Sequence, residues 1–144
     1  MNPAAFEGSP PMTPAASEGS SQTRGDRPRR RVLIRLPNWI GDAVMAAPAV
    51  LALGEARPQW DWLLLGGPRS LPLFAGLGPP FVPLPQLPPR HSRPRSFLEA
   101  VVRIRRAGPE AALVLPPSFS SAWMISLAGV PIRFGWPGDG RGGL

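Results

Sequence analysis

The sequence predicts an α/β fold with a doubly wound parallel sheet. Short apolar runs, rich in leucine and β-branched residues, recur along the chain and are typical of strands buried on both faces. Segments with helical spacing separate these runs, and glycine or proline marks most junctions. Because strands alternate with helices, we expect the strands to be parallel and the helices to cover the sheet.

The first 30 residues have the composition of a disordered tail. They are rich in Pro, Ser, Gly and Ala, with a single aromatic residue, and cannot bury enough surface to offset the entropy of ordering. The tail ends in a basic cluster of Arg27, Arg29, Arg30 and Arg31. This cluster is either a solvated lead-in to the first strand or a contact for anionic lipid or nucleic acid. We predict a disordered segment over 1–30 and one folded domain over 31–144.

The folded segment opens with a strand, a turn and a helix. The apolar run at 32–36 predicts a buried strand, and the turn PNWIG follows it. The alanine-rich stretch 43–56 predicts a helix with Asp42 near its N-terminus. Pro48 is expected to kink this helix or divide it after its first turn.

Two further strands are predicted on either side of a short helix. Apolar residues at 62–65 predict the second strand, and residues around 71–75 predict the helix. The third strand is predicted at 81–84, on the edge of the sheet because prolines surround it. A basic, proline-rich loop follows at 86–95, and its His91 receives no functional assignment.

The last part of the chain predicts two more helices and two more strands. Ser96 is expected to cap a helix that stops at Gly108 and Pro109. The remaining elements are a strand at 111–115, a helix at 119–128 and a strand at 132–134.

Composition limits the chemistry that the chain can perform. Its 16 arginines, without lysine, give a net charge of +7, which suits an anionic partner without specifying one. Cysteine is absent, which excludes disulfides and thiolate catalysis, and a single histidine disfavours a histidine-based triad or metal site. The longest apolar stretches are shorter than the roughly 20 residues that span a bilayer. With no secretion signal recognised at the start, we expect a cytoplasmic protein.

The first turn and helix carry the strongest candidate site. Gly41 and Asp42 follow the first strand, at the carboxyl edge where open α/β sheets bind ligands. The turn lacks the three glycines of a dinucleotide fingerprint and the lysine of a P-loop, so a different ligand is expected. A helix N-terminus stabilises a carboxylate, the form that a general base needs. The same position also suits an ordinary helix cap.

Three segments of the chain resemble one known family. The first is the pattern Pro-x-Trp-x-Gly-Asp-x-Val-Met, filled by Pro37, Trp39, Gly41, Asp42, Val44 and Met45. It resembles the signature of the lipopolysaccharide heptosyltransferases of glycosyltransferase family 9, most closely their heptosyltransferase II members. LPPSFSSA at 115–122 and GVPIRFGW at 129–136 resemble the same family, in the same order.

This resemblance implies a GT-B glycosyltransferase, in which two Rossmann-like domains face a cleft. The N-terminal domain would hold the lipid-linked lipopolysaccharide inner core, and Asp42 matches the catalytic aspartate of the family. That aspartate would accept a proton from an acceptor hydroxyl, which attacks the anomeric carbon of ADP-heptose with inversion and loss of ADP. The family implies no metal ion and no cofactor.

Several further residues are candidates for binding the acceptor. Ser118, Ser120 and Ser121 lie where a strand meets a helix and either bind sugar hydroxyls or phosphate, or cap the helix. Arg133 and Arg141 suit carboxylate or phosphate groups, and equally suit a solvated surface.

The signature turn and the last strand add four more candidates. Asn38 and Gly41 belong to the turn itself. Trp39 and Trp136 either stack on sugar faces or pack within the protein.

The chain is expected to be the N-terminal part of such an enzyme, with its first domain truncated and the donor-binding domain absent. Because the nucleotide-sugar donor needs that domain, the chain alone is expected to be inactive. The alternative is a non-catalytic Rossmann-like module or gene remnant that binds an anionic glycolipid or a partner protein. Nucleic-acid binding through the basic tail and the 86–95 loop is a weaker option. We also expect peripheral contact with an anionic membrane at its cytoplasmic face, through arginine side chains.

Overall fold

The computed structural model describes residues 29–86 and 93–137. The strands are β1 (Arg31–Arg35), β2 (Asp61–Gly66), β3 (Phe81–Pro85), β4 (Ala111–Val114) and β5 (Ile132–Gly135). The helices are α1 (Ile40–Ala56), α2 (Arg93–Ala107) and α3 (Phe119–Leu127), and a 3-10 turn (Leu71–Phe74) follows β2. All strand pairs are parallel, in the order β3-β2-β1-β4-β5. The predicted α/β fold with a parallel sheet is confirmed.

Alternate residues of the central strands pack into two separate hydrophobic cores, one on each face of the sheet. Leu33 of β1 packs in the cluster that contains Ile104 of α2 and Ile125 of α3. The next residue, Ile34, packs in the cluster that contains Val50 of α1. Each fully buried aliphatic side chain contributes about 1.5–3 kcal/mol relative to an exposed one. Both faces are therefore covered, as the doubly wound arrangement requires.

The edge position predicted for the third strand is confirmed, since β3 pairs with β2 at one end of the sheet. At the other end, all four residues of β5 are exposed.

The helix stop predicted at Gly108 is also confirmed. Gly108 adopts a φ of 61°, and its N–H donates to the carbonyls of Ile104 and Arg105 at 3.1 and 3.2 Å.

Of the two alternatives predicted at Pro48, division of the helix is wrong, and a kink stays a prediction. Helix α1 runs from Ile40 to Ala56 without being divided, because Ala43 and Val50 on either side of Pro48 are both buried in the same core. The predicted start of the next helix is also wrong. Helix α2 begins at Arg93, before the predicted cap at Ser96. Pro94 explains the earlier start, because proline has the backbone angle of a helix and lacks an N–H that the first turn would leave unpaired.

Parts of three earlier predictions lie outside the described residues. These are the tail at 1–28, most of the 86–95 loop with His91, and Arg141. The assignment of 1–30 as disordered and 31–144 as one domain therefore stays a prediction.

Gly54 allows the end of α1 to approach β3. A Cβ at this position would overlap the ring of Phe81, with the Cε2 atom at 2.8 Å. We predict that Gly54→Val lowers the free energy of unfolding by about 1–3 kcal/mol through overpacking. Ala52→Val, exposed on the same helix, changes it by only about 0.5 kcal/mol. Urea denaturation of both variants tests this, and equal effects would show that the contact is unimportant.

Candidate active site

The candidate site lies at the carboxyl edge of the sheet, between β1 and β4. Arg35 and Val114, the last residues of these strands, are in register, and the Leu115 N–H donates to the Arg35 carbonyl at 3.2 Å. The chain leaves β1 toward α1 and leaves β4 toward α3, and these helices pack on opposite faces of the sheet. Such a divergence opens a crevice, which is where open α/β sheets bind their ligands.

Asp42 lies in the first turn of α1, on the β1 side of this crevice, and its side chain is exposed. Trp39 occupies the N-cap position with an extended backbone, which makes Asp42 the third helical residue. The alternative that Asp42 is the helix cap is therefore wrong. Among the described residues, none of the salt bridges involves Asp42. The structure thus presents a solvent-facing carboxylate at the positive end of a helix dipole.

Arg35 supports the signature turn from beneath. Its side chain is 2% exposed, and Nη2 donates to Asn38 Oδ1 at 2.7 Å. Nη1 donates to the carbonyls of Leu36 and Leu65 at 2.8 and 3.3 Å. These acceptors are neutral, and burial lowers the pKa of the Arg35 guanidinium to about 10. Asn38 is thereby held by a buried, positively charged donor.

Arg35 was not among the residues that the sequence singled out. It stands within the apolar run VLIRL, whose pattern predicts only a buried strand. A usable signal was present, because arginine is almost never fully buried unless it is paired. An arginine at the carboxyl end of a strand buried on both faces is therefore a candidate for supporting the adjacent loop.

The serines after β4 lie on the opposite side of the crevice. Ser118 occupies the N-cap position of α3, but its hydroxyl pairs with Ser121 Oγ at 2.7 Å rather than capping a backbone amide. Ser121 is buried, whereas Ser120 is exposed. Ser120 therefore faces solvent beside the crevice, while Ser118 and Ser121 stabilise the start of α3.

Both candidate tryptophans are on the surface of the described structure. Trp39 is 70% exposed and Trp136 is 78% exposed, so neither packs in the core. Trp136 directly follows β5, whose last residue, Gly135, is in register with Val114 of β4. Trp136 therefore lies at the same edge as the crevice.

Gly41 lies at this edge of the sheet, whereas Arg133 lies within β5, before the edge is reached. A Cβ at Gly41 would meet nothing within 4 Å, so packing does not require glycine there. Arg133 lies in the middle of β5, in register with Ala112, and donates to the Val130 carbonyl at 2.6 Å. The structure thus places Asn38, Trp39, Gly41, Asp42, Ser118, Ser120 and Trp136 at one edge, and Arg133 short of it.

The described residues hold no group of three acidic or histidine side chains that could bind a metal ion. The expectation that no metal or cofactor is used stays a prediction. Within the same residues, none of the helices is long and apolar enough to span a membrane.

A parallel sheet of this strand order, with a crevice at its switch point, is typical of Rossmann-like domains. No protein-family model matches the chain. It is 30% identical over 118 residues to lipopolysaccharide heptosyltransferase 2 of Escherichia coli. It is 43% identical over 44 residues to lipooligosaccharide heptosyltransferase 2 of Campylobacter jejuni. The chain is thus homologous to part of the heptosyltransferases, a class of glycosyltransferases, as its sequence motifs predicted.

The structural comparison agrees with this assignment. The structure of E. coli ADP-heptose lps heptosyltransferase II matches with a TM-score of 0.65 and 27% identity, over 78% of this chain and 32% of that one. The sequence matches cover 79% of this chain with the E. coli protein and 31% with the C. jejuni protein. They cover 33% of the E. coli protein and 14% of the C. jejuni protein, so the chain spans about a third or less of the length of these relatives.

The buried Arg35 predicts an unusual pH dependence of stability. Because its pKa is lowered to about 10 in the folded state, the unfolded chain binds more protons between pH 10 and the higher, ordinary pKa of an exposed arginine. Stability therefore rises with pH in this window, by about 2 kcal/mol up to pH 12. The chain has no lysine, tyrosine or cysteine to titrate there. Chemical denaturation should show this rise in the parent protein and its loss in Arg35→Met, whereas equal slopes would contradict it.

Proposed function

We propose that this chain forms the acceptor side of a lipopolysaccharide heptosyltransferase and that Asp42 is its general base. The observation that carries the proposal is the exposed Asp42 carboxylate in the first turn of α1, at the crevice between β1 and β4. Homology to heptosyltransferases supports the class of reaction. The donor-binding portion would be supplied by residues outside this chain.

In the proposed reaction, Asp42 accepts the proton of an acceptor sugar hydroxyl. The hydroxyl oxygen attacks the anomeric carbon of ADP-heptose from the face opposite the ADP group. The new carbon–oxygen bond forms as the bond to ADP breaks, and ADP leaves with the electron pair, which inverts the configuration. The E. coli structure with this fold is that of an ADP-heptose lps heptosyltransferase, which supports this choice of donor. No metal ion is needed in this scheme.

The surroundings of Asp42 suit a phosphorylated inner-core acceptor on its lipid carrier. Trp39 and Trp136 present exposed rings on which a sugar can stack. Ser120 offers an exposed hydroxyl across the crevice. The net charge of +7 favours an anionic acceptor. We place this reaction at the cytoplasmic face of the membrane, with the chain bound peripherally.

The role of Asp42 can be tested in a fusion protein in which residues 29–137 replace the matching segment of E. coli heptosyltransferase 2. Asp42→Asn should lower kcat by roughly 10²–10⁴-fold, because a general base contributes that much, and should change KM little. Transfer is measured by ADP release with lipopolysaccharide core acceptor.

Asp61→Asn is the matched control for this test. Asp61 begins β2 at the opposite edge of the sheet and pairs with Arg29 at 3.2 Å, so its loss should leave kcat unchanged. If Asp42→Asn retains full kcat, Asp42 is not the base. A non-catalytic module that binds glycolipid would then be favoured, provided that the fusion still binds acceptor.

Substitution of Gly41 should affect kcat/KM without lowering the free energy of unfolding. Its Cβ position is open, so Gly41→Ala should keep the free energy of unfolding or raise it by up to about 1 kcal/mol. The added methyl group lies beside Asp42, and misplacing the acceptor there should lower kcat/KM by roughly 10–100-fold. Gly76→Ala, also in open space but away from the crevice, should leave both quantities unchanged. Equal kcat/KM for the two variants would contradict a role for Gly41 in the site.

A further inference from the structure

Helices α2 and α3 lie side by side and carry apolar side chains that the core does not bury. The ring of Trp123 lies 5.3 Å from that of Phe97 and 6.4 Å from that of Phe119, between centroids. At the other end of the pair, Arg105 donates to the Leu127 carbonyl at 3.2 Å. We call the outer surface of helices α2 and α3 the α2–α3 face. It is formed by Leu98, Val102, Phe119, Trp123, Leu127, Arg95, Arg105 and Arg106.

The apolar groups of this face are exposed although a packed core exists beneath them. Leu98 is 58% exposed and Trp123 is 45% exposed, whereas Ile104 and Ile125 on the inner sides of the same helices are fully buried. Phe119, Trp123 and Leu127 recur at intervals of four residues, which places them in one stripe along α3. Exposed apolar surface of this kind marks an interaction site.

The charge around the stripe is strongly positive. Among its described side chains, α2 carries four arginines, Arg95, Arg103, Arg105 and Arg106, and one acid, Glu99, which gives a net charge of +3. Glu99 pairs with Arg95 at 3.5 Å, and Arg103 donates to the Pro85 carbonyl. Arg105 and Arg106 remain exposed to solvent at the end of the helix. An anionic surface would complement this arrangement.

We propose that the α2–α3 face docks on an anionic lipid bilayer. Aromatic and aliphatic side chains enter the boundary between headgroups and acyl chains, and tryptophan is favoured there. Arginines beside them bind lipid phosphates, and their stems lie along the apolar surface. Burial of apolar area and attraction between charges thus act on the same face.

The position of this face relates it to the candidate active site. Helix α3 begins at Phe119, immediately after Ser118, so the apolar stripe starts at the carboxyl edge of the sheet. A bilayer bound along the stripe would lie next to the crevice that contains Asp42. This relation rests on the proposed function, because a lipid-linked acceptor must be reached from the membrane. Binding of the face to lipid requires no sugar, so each proposal can fail while the other stands.

A single fluorescent label tests whether this face enters the bilayer. The chain contains no cysteine, so Leu98→Cys in the 144-residue protein can be labelled at one position with an environment-sensitive NBD group. We expect a blue shift and higher emission with vesicles of phosphatidylglycerol and phosphatidylcholine, and little change with phosphatidylcholine alone. Leu73→Cys is the matched control, because Leu73 is similarly exposed on the 3-10 turn of the opposite face of the sheet. It should show no shift.

Charge reversal tests the contribution of the arginines. Arg106→Glu should weaken partitioning into the same vesicles by roughly tenfold or more, with a steep dependence on salt. Arg69→Glu makes the same change in net charge at an exposed position outside the face, and should weaken it much less. Circular dichroism is the control for folding, and both variants should give the spectrum of the parent protein.

Three outcomes would overturn the proposal. One is vesicle binding without a shift at Leu98, which would indicate attraction through another part of the chain, such as the arginines at 27–31. A second is an equal effect of Arg69→Glu and Arg106→Glu, which would show that only total charge matters. The third is a shift at Leu98 that appears without vesicles as protein concentration rises, because a second copy of the chain would then occupy the face.

Discussion

The parallel pairing of β1 with both β2 and β4 determines where the helices and the candidate site lie. It buries β1 on both faces and directs the chain after β1 and the chain after β4 to opposite sides of the sheet. The crevice between these two connections follows from topology alone. The position of Asp42 is thus a consequence of strand order, and its surroundings are decided by the loops that strand order brings together.

Much of this fold could be predicted because the strands are distinct in sequence. The runs around VLIRL and WLLL are apolar enough to indicate burial on both faces, and the prolines around Phe81 indicate an edge. Predictions failed where two local signals competed. Ser96 is a good cap, but Pro94 begins the helix earlier, and Pro48 opposes a helix that buried Ala43 and Val50 hold together. At Pro48 the packing of α1 against the sheet decided the outcome, and such packing cannot be read from a single sequence.

The sequence motif of the candidate site could be predicted, but the hydrogen bonds that hold its residues in place could not. The signature around Trp39, Gly41 and Asp42 led to heptosyltransferases, and the homology agrees. The contact between Arg35 and Asn38 spans only three residues, yet its strength comes from the burial of Arg35 between strands. Likewise, Ser118 and Ser121 both suggest capping or binding, and only their geometry shows that their hydroxyls bond to each other. Sequence patterns therefore located the chemistry, and tertiary structure assigned the supporting roles.

The proposed function requires that an acceptor sugar binds in the crevice between the start of α1 and the start of α3. Titration of the ¹⁵N-labelled chain with de-acylated lipopolysaccharide core, followed by NMR, tests it most directly. We expect amide shift changes clustered at Gly41, Asp42 and Ser120, with little change at Asp61 and Glu110 on the opposite edge. Saturable binding whose shift changes cluster at the opposite edge, or the absence of binding, would show that the acceptor does not bind in this crevice.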